Sequence, residues 1–302
     1  MSATLHASPL CETQVPVCRK AYTSDLSDAQ WELIQSLLVL PEGGRPRTTN
    51  MREVFNAIYY QAKFGCPWSD LPHDFPPEGT VRRWFHYFKR TNQYEKINEQ
   101  LRKAVRVQAG REAEPSLAII DSQSVKSTRT SGERGDDAGK KINGIKRHFL
   151  VDVLGLILFV VVHTANIQER AGAKLVLAKA SQADMPRLRT ILADDGYSGK
   201  PMVDHVRDKH GWQFVSVKRT ELHQFKVIPK RWVVERTIGW MNNFRGLSKH
   251  YDYDSKTGEA KIYLAAVFYM SKRLTTKPDA PPWSLENDQK IKTKLENIVQ
   301  HA

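Results

Sequence analysis

Apolar positions recur at helical spacing through the first third of the chain and at strand spacing after it. Ser27 can cap a helix that carries Trp31, Ile34, Leu37 and Leu38 on one side. Pro41, Gly43, Gly44 and Pro46 break the chain after it. Asn50 can cap a second helix, with Glu53 at the capping-box position and Val54, Ile58 and Ala62 as its stripe. The stretch from Gly65 to Gly79 holds Pro67, Pro72, Pro76 and Pro77 and reads as a structured loop. Thr80 then caps a third helix. Its Val81, Trp84, Phe85 and Phe88 face one way; Arg82, Arg83, His86, Lys89 and Arg90 face the other. Tyr94, Ile97, Leu101, Ala104 and Val105 mark a fourth. Short helices with tight links suit a helix-turn-helix-like module.

The period changes after Pro115. Leu117 to Ile120 is a short apolar run, as in a strand buried on both faces. His148 to Val153 and Leu156 to His163 predict two strands around a turn at Gly155. Gln168 to Ala180 is predicted helical with Leu175 and Ala178 inward, Leu188 to Ala193 a strand, Lys200 to His210 a helix and Phe214 to Val217 a strand. Trp232 to Phe244 is a helix introduced by Pro229, and Ile262 to Leu274 a last one. Strands in hairpin order, then alternating with helices, imply an α/β mixed sheet covered on both faces. The expected division is a loose tail over 1–21, a helical domain over 22–112, a catalytic domain over 113–274 and a polar tail over 275–302.

Charge narrows the partners. Lys and Arg number 46 against 33 Asp and Glu, a formal net charge of +13, which favours a polyanion because neutralised phosphates release counterions. Charge alone does not separate DNA, RNA and an acidic membrane surface. Cys11, Cys18 and Cys66 are an odd set without metal-ligand spacing, expected as reduced thiols of a cytosolic protein. The first residues lack a charged stretch followed by an apolar one, and the longest apolar run, Leu154 to Val162, is too short to span a bilayer. A soluble protein with no membrane partner is expected.

Three carboxylates are the candidate chemistry. Asp121 closes the apolar run Leu117–Ile120, and Asp194 closes Thr190–Ala193. Sites in open α/β sheets form at the carboxyl ends of strands, and oxygen ligands converging there suit Mg²⁺ or Mn²⁺. Each Asp by itself is equally the polar end of a strand. Glu235 shares a helix face with Arg231, Asn242 and Arg245, suited to a phosphate-contacting site or to a solvated, ion-paired surface.

Several blocks then carry a resemblance. Gly139 to His148, continued by Leu150 to Leu156, resembles a central block of bacterial insertion-sequence transposases. So do Ala193 to Tyr197, Arg231 to Thr237, Arg245 to Lys249, Leu26 to Trp31 and Gly65 to Trp68. The chain resembles the DDE transposases of the insertion-sequence-five type from about Tyr22 to Leu274, in order. The resemblance implies a ribonuclease-H-like core and maps the catalytic, metal-holding carboxylates onto Asp121, Asp194 and Glu235, 73 and 41 residues apart, with Asp195 ranked second at the middle place. It implies two Mg²⁺ ions, with Mn²⁺ able to substitute, and cleavage at transposon ends followed by joining of the 3′-hydroxyl to target DNA. Double-stranded DNA is the implied partner, with a homodimer when two ends are paired, in the bacterial cytoplasm at the nucleoid. Lys140, Lys141, Lys146, Arg147 and His148 are expected to hold DNA, as are Arg245 and Lys249. Arg82, Arg83, Lys89 and Arg90 make the third helix the candidate reader of the inverted repeat, against the alternative of an ordinary helix with a charged outer face. Two other functions remain open on sequence: a nuclease that cuts without joining, and a DNA-binding repressor with an idle core.

Overall fold

Ser27 caps α1 (Asp28–Leu37) by accepting the Gln30 N–H at 3.3 Å, while the Gln30 side chain accepts the Ser27 N–H at 2.9 Å. This reciprocal pair satisfies amides that a helix start otherwise leaves open. The protein is described from a computed structural model, over residues 19–43, 48–183, 185–217 and 231–276. Pro46, Pro229, Cys11, Cys18 and the polar stretch after residue 276 lie outside the described residues.

Asn50 caps α2 (Met51–Phe64) through the N–H groups of Arg52 and Glu53. Glu53 does not complete a capping box. It accepts from Asn56 and pairs with Arg19 at 2.7 Å, and Arg19 also pairs with Asp25 at 2.8 Å. The segment before Tyr22 is therefore anchored from Arg19 onward. α3 (Glu78–Arg90) starts two residues before Thr80, because the Pro77 carbonyl already accepts the Thr80 and Val81 N–H groups at 2.8 and 3.1 Å. α4 (Gln93–Gln108) follows at once through Asn92, whose φ of 55° makes the tight link.

The sheet is mixed. β1 (Leu117–Lys126) pairs antiparallel with β3 (Ile142–Asp152), which pairs antiparallel with β4 (Ile157–Thr164). On the other side β1 pairs parallel with β5 (Thr190–Asp194), and β5 with β6 (Gln213–Val217). The short β2 (Gly135–Asp137) takes the first residues of β3 on the edge that β4 then uses. Three antiparallel strands continued by two parallel ones form the mixed sheet of a ribonuclease-H-like core.

One apolar cluster runs from Phe55, Phe85, Phe88 and Leu101 of the opening helices through Ile119, Phe149 and Val160 of the sheet to α8 (Ser255–Thr275). The helices are thus built onto one face of the sheet and share its core. α5 (Glu169–Ser181) and α6 (Lys200–His210) cover the other face, against Ala118, Ile120, Leu150 and Ile191. The inward face of α5 is Gly172, Ala173, Val176, Leu177 and Ala180, and Leu175, expected inside, is exposed. Small residues form that face because the helix sits close. A Cβ at Gly172 would lie 2.2 Å from His148 Cε1 and 2.5 Å from His163 Nε2.

Those two imidazoles meet in the interior, His148 Nδ1 and His163 Nε2 standing 3.0 Å apart. Burial, then the neighbouring His163 and Lys146, drives His148 down to about 3. The unfolded chain therefore takes up this proton first as pH falls. Stability is fully present above the ordinary histidine value of about 6.5 and is lost progressively as pH falls toward the folded value. Urea midpoints measured from pH 7.5 to 5 should fall for the parent and fall less for His148→Gln.

Candidate active site

β1 does not stop at Asp121. It runs on to Lys126 because β3 continues to pair with it, Asp121 opposite Phe149. What stops there is the other ladder. β1 and β5 are in parallel register from Leu117↔Thr190 to Ile119↔Leu192, and beyond that pair they part. Carrying the register two residues further sets Asp121 level with Asp194. The side chains two residues apart on a strand share a face, so both follow Ile119 and Leu192 onto the helical side of the sheet. The mouth between diverging strands at a change of strand direction is where open sheets hold ligands. Asp121 Oδ1 accepts the Ser122 N–H at 2.7 Å, and Asp194 Oδ1 accepts the Gly196 N–H at 3.0 Å, which steers both carboxylates.

α7 (Arg231–Asn242) packs against β1 from the same side. Val233, Val234, Thr237 and Met241 are buried. Thr237 Oγ1 donates to the Gly155 carbonyl at 2.8 Å and Arg236 Nη2 to the Leu154 carbonyl at 3.0 Å, fixing the helix on the β3–β4 turn. Gly155, with φ +79°, is needed there: a Cβ would stand 2.7 Å from Thr237 Oγ1. At the other end Gln123 donates to Asn242 Oδ1 at 3.1 Å. Gln123 lies two residues beyond Asp121, on its face of β1. Asn242 lies two helical turns beyond Glu235, on its side of α7. Glu235 is exposed on that flank. Among the described residues no three His, Cys, Asp or Glu side chains form a ready-made cation cluster.

A fourth carboxylate, which periodicity did not single out, belongs to this neighbourhood. Glu169 opens α5; its Oε1 accepts from Ser122 Oγ at 3.2 Å and from Lys140 Nζ at 3.3 Å. Its Oε2 and Asp194 Oδ1 crowd the same glycine, since a Cβ at Gly196 would lie 2.8 and 3.1 Å from them. The Tyr197 hydroxyl is buried beneath, beside Ser122. Burial holds this phenol well above its ordinary range, and the charges of Asp121, Glu169 and Asp194 push the same way. The only clue in sequence is a carboxylate in the first turn of a helix, a very common feature.

The basic block divides. Lys140 and Lys141 are exposed at the β2–β3 turn. Lys146, Arg147 and His148, expected on DNA, are interior, because β3 begins at Ile142 and carries them into the sheet. Lys146 pairs with Asp137 at 3.1 Å and donates to the Ile167 carbonyl. Burial alone would raise Asp137, but hydrogen bonds from Ser124, the Lys140 N–H and Lys146 outweigh it and hold it at about 2. Arg147, brought down to about 10 by burial, donates to the Leu247 carbonyl at 2.8 Å and to Gln123 at 3.3 Å. Through Gln123 it fastens α7 and the turn Arg245–Leu247 to β1. Lys89 is likewise engaged, donating to Asp254 at 3.1 Å and Thr257 at 2.9 Å. Arg82, Arg83, Arg90, Arg245 and Lys249 are exposed.

The donors suit a hard divalent cation in type: they are carboxylate oxygens, two of them just past the end of the β1–β5 ladder. Oxygen ligands, exposed cations on both sides and a buried anchoring network are the parts needed to grip a phosphodiester.

Family models match most of this chain. Residues 112–270 match the family model of the transposase DDE domain. Residues 26–114 match a family model described as a transposase of the IS4/5 family. No curated protein matches the chain. Among solved structures it is similar to the crystal structure of the Mos1 strand transfer complex, at 10% identity and a TM-score of 0.29, over 78% of this chain and 79% of that one. With more than half its length matched by that domain, the chain belongs to the DDE transposases of the IS4/5 type.

Proposed function

We propose that this transposase binds the terminal inverted repeats of its insertion sequence, cuts at the element's ends and joins the freed 3′-hydroxyl to target DNA. The observation that carries the reading is that the β1–β5 ladder ends at Ile119↔Leu192, two residues before Asp121 and Asp194, in a chain of the DDE family. Asp121, Asp194 and Glu235 would hold two divalent cations, Mg²⁺ or Mn²⁺. When bound, such ions activate the attacking oxygen and stabilise the leaving one. Glu235, on the flank of α7 that packs on β1, would be the third of these ligands. Lys140, Lys141, Arg245 and Lys249 neutralise backbone phosphates around the cut. Arg82, Arg83 and Arg90 present α3 to the inverted repeat. Two chains act together when two ends are paired, in the bacterial cytoplasm at the nucleoid. Among the described residues no helix is long and apolar enough to cross a membrane.

The test is a coupled assay with Mg²⁺, an oligonucleotide carrying the element's end, and a supercoiled target. Joined product supports the transposase reading over a nuclease that only cuts. Cutting without joining under every divalent cation tried would overturn it.

Glu169 supplies a separate prediction. Its ion pair with Lys140 is part-exposed, with side-chain exposures of 30% and 42%, so it contributes little to stability, at most about 1 kcal/mol. It does orient Lys140 beside the aspartates. Glu169→Gln should slow cleavage about tenfold, a loss of about 1.4 kcal/mol in transition-state stabilisation, while the thermal midpoint stays near the parent's. An unchanged rate would remove Glu169 from the site.

A further inference from the structure

Beyond Lys126 the chain makes a loop that is tied to a segment far along the sequence. The His250 N–H donates to the Lys126 carbonyl at 2.9 Å and the His250 carbonyl accepts the Thr128 N–H at 3.0 Å and the Ser131 hydroxyl at 2.6 Å. His250 itself is buried, so the two segments are stitched from beneath. What they present outward is Tyr251, 45% exposed, and Tyr253, 79% exposed. The Tyr253 ring lies on Gly132, where a Cβ would meet two ring carbons at 3.1 Å and the Tyr253 carbonyl at 2.5 Å. The ring is thus supported from below and open above. Lys126, Arg129, Arg134, Arg245 and Lys249 are exposed on the same two segments. The acids nearby are occupied: Glu133 accepts from Ser255, Asp252 pairs with Lys261 at 2.7 Å, and Asp254 pairs with Lys89 at 3.1 Å.

A ring as open as that of Tyr253 gains little for the fold, since burial is what stabilises an apolar surface, and Tyr251 beside it is half-exposed. Rings beside cations are instead the combination that receives unpaired bases, the ring stacking on a base and the cations following the backbone. Position supports this. Along β1 from Asp121 to its end at Lys126 is five residues, roughly 16 Å at strand rise, and the platform follows directly. The platform therefore stands several nucleotides of an extended strand from the aspartates.

We propose that Tyr251 and Tyr253, with Arg129 and Arg134, form a stacking platform for unpaired DNA that runs along β1 away from the Asp121–Asp194 pair. This deepens the transposase reading and rests on it for the direction of the strand. The surface takes single-stranded or locally opened DNA in preference to intact duplex, because only unstacked bases offer a face to the rings.

The experiment measures binding of the full chain to a 20-nucleotide oligothymidylate and to a duplex of equal length, without metal, for the parent, Tyr251→Ala/Tyr253→Ala and Tyr251→Phe/Tyr253→Phe. The alanine pair should lose single-strand affinity about tenfold or more while duplex affinity holds, and the phenylalanine pair should keep both. Photocrosslinking of 5-iodouracil in the single strand should map to Tyr251 or Tyr253. Parental single-strand affinity in the alanine pair, or an equal loss on both DNAs, would overturn the platform. Asp121-dependent cleavage measured on the same proteins reports on the active-site reading separately, so the failure of one is told from the failure of the other.

Discussion

Asp121→Asn should cut transposon-end DNA at least about 10³-fold more slowly than the parent, with folding unchanged. Removing one anionic ligand from a divalent site withdraws several kcal/mol of charge stabilisation, and each 1.36 kcal/mol is tenfold in rate. Asparagine keeps the size of the side chain and its acceptor for the Ser122 N–H, so the β1–β3 ladder is untouched. Asp194→Asn should behave alike, since its Oδ1 contact with the Gly196 N–H survives as well. The double variant should be scarcely slower than either single one, because two ligands of one ion act as a unit. Single-turnover cleavage with Mg²⁺ or Mn²⁺ gives all three rates. A parental rate in either single variant removes that residue from the site.

The largest stability effect is expected at Asp152, far from the chemistry. It is fully buried and forms an ion pair with Arg106 of α4, while its other oxygen accepts the Leu154 and Leu156 N–H groups, each at 2.9 Å. One side chain therefore shapes the β3–β4 turn, on which α7 is docked, and ties the opening helices to the sheet. Asp152→Asn leaves the Arg106 guanidinium buried without its counter-charge, which costs about 3–5 kcal/mol. Adding Arg106→Met to Asp152→Asn should recover part of that loss, because no lone charge then remains and the asparagine oxygen still accepts the Leu154 and Leu156 N–H groups. Denaturant unfolding of the single and double variants tests this, and a single variant within about 1 kcal/mol of the parent contradicts it.

Much of this was legible in the sequence where one side of an element is strongly apolar. The stripes of α2, α3 and α4, the turn at Gly155 and the strands carrying Asp121 and Asp194 follow from periodicity alone. Errors arose where tertiary pairing overrides local pattern. A run of Lys146, Arg147 and His148 looks solvated until β3 is known to begin at Ile142 and to bury all three against Asp137, Leu247 and His163. α5 was misphased because its core face is small residues, whose weak hydrophobicity gives Leu175 undue weight. Thr80 looked like a cap because Pro77 and Glu78 carry no apolar signal. Among site residues, the level placement of Asp121 and Asp194 depends on a parallel register that no local pattern contains. Glu169 depends on where α5 begins relative to Gly196. That the apolar faces of the four opening helices close on the sheet and α8 is likewise absent from any local pattern.

Glu235 decides the account most directly. Mn²⁺ titrated into the parent and into Glu235→Gln, followed by the paramagnetic resonance of free Mn²⁺, reports the ligand set without DNA. The parent should bind, and Glu235→Gln should bind at least about tenfold more weakly, since each anionic oxygen ligand strengthens a hard-cation site. Identical binding by the two proteins would place Glu235 outside the metal's ligands and contradict the three-carboxylate centre.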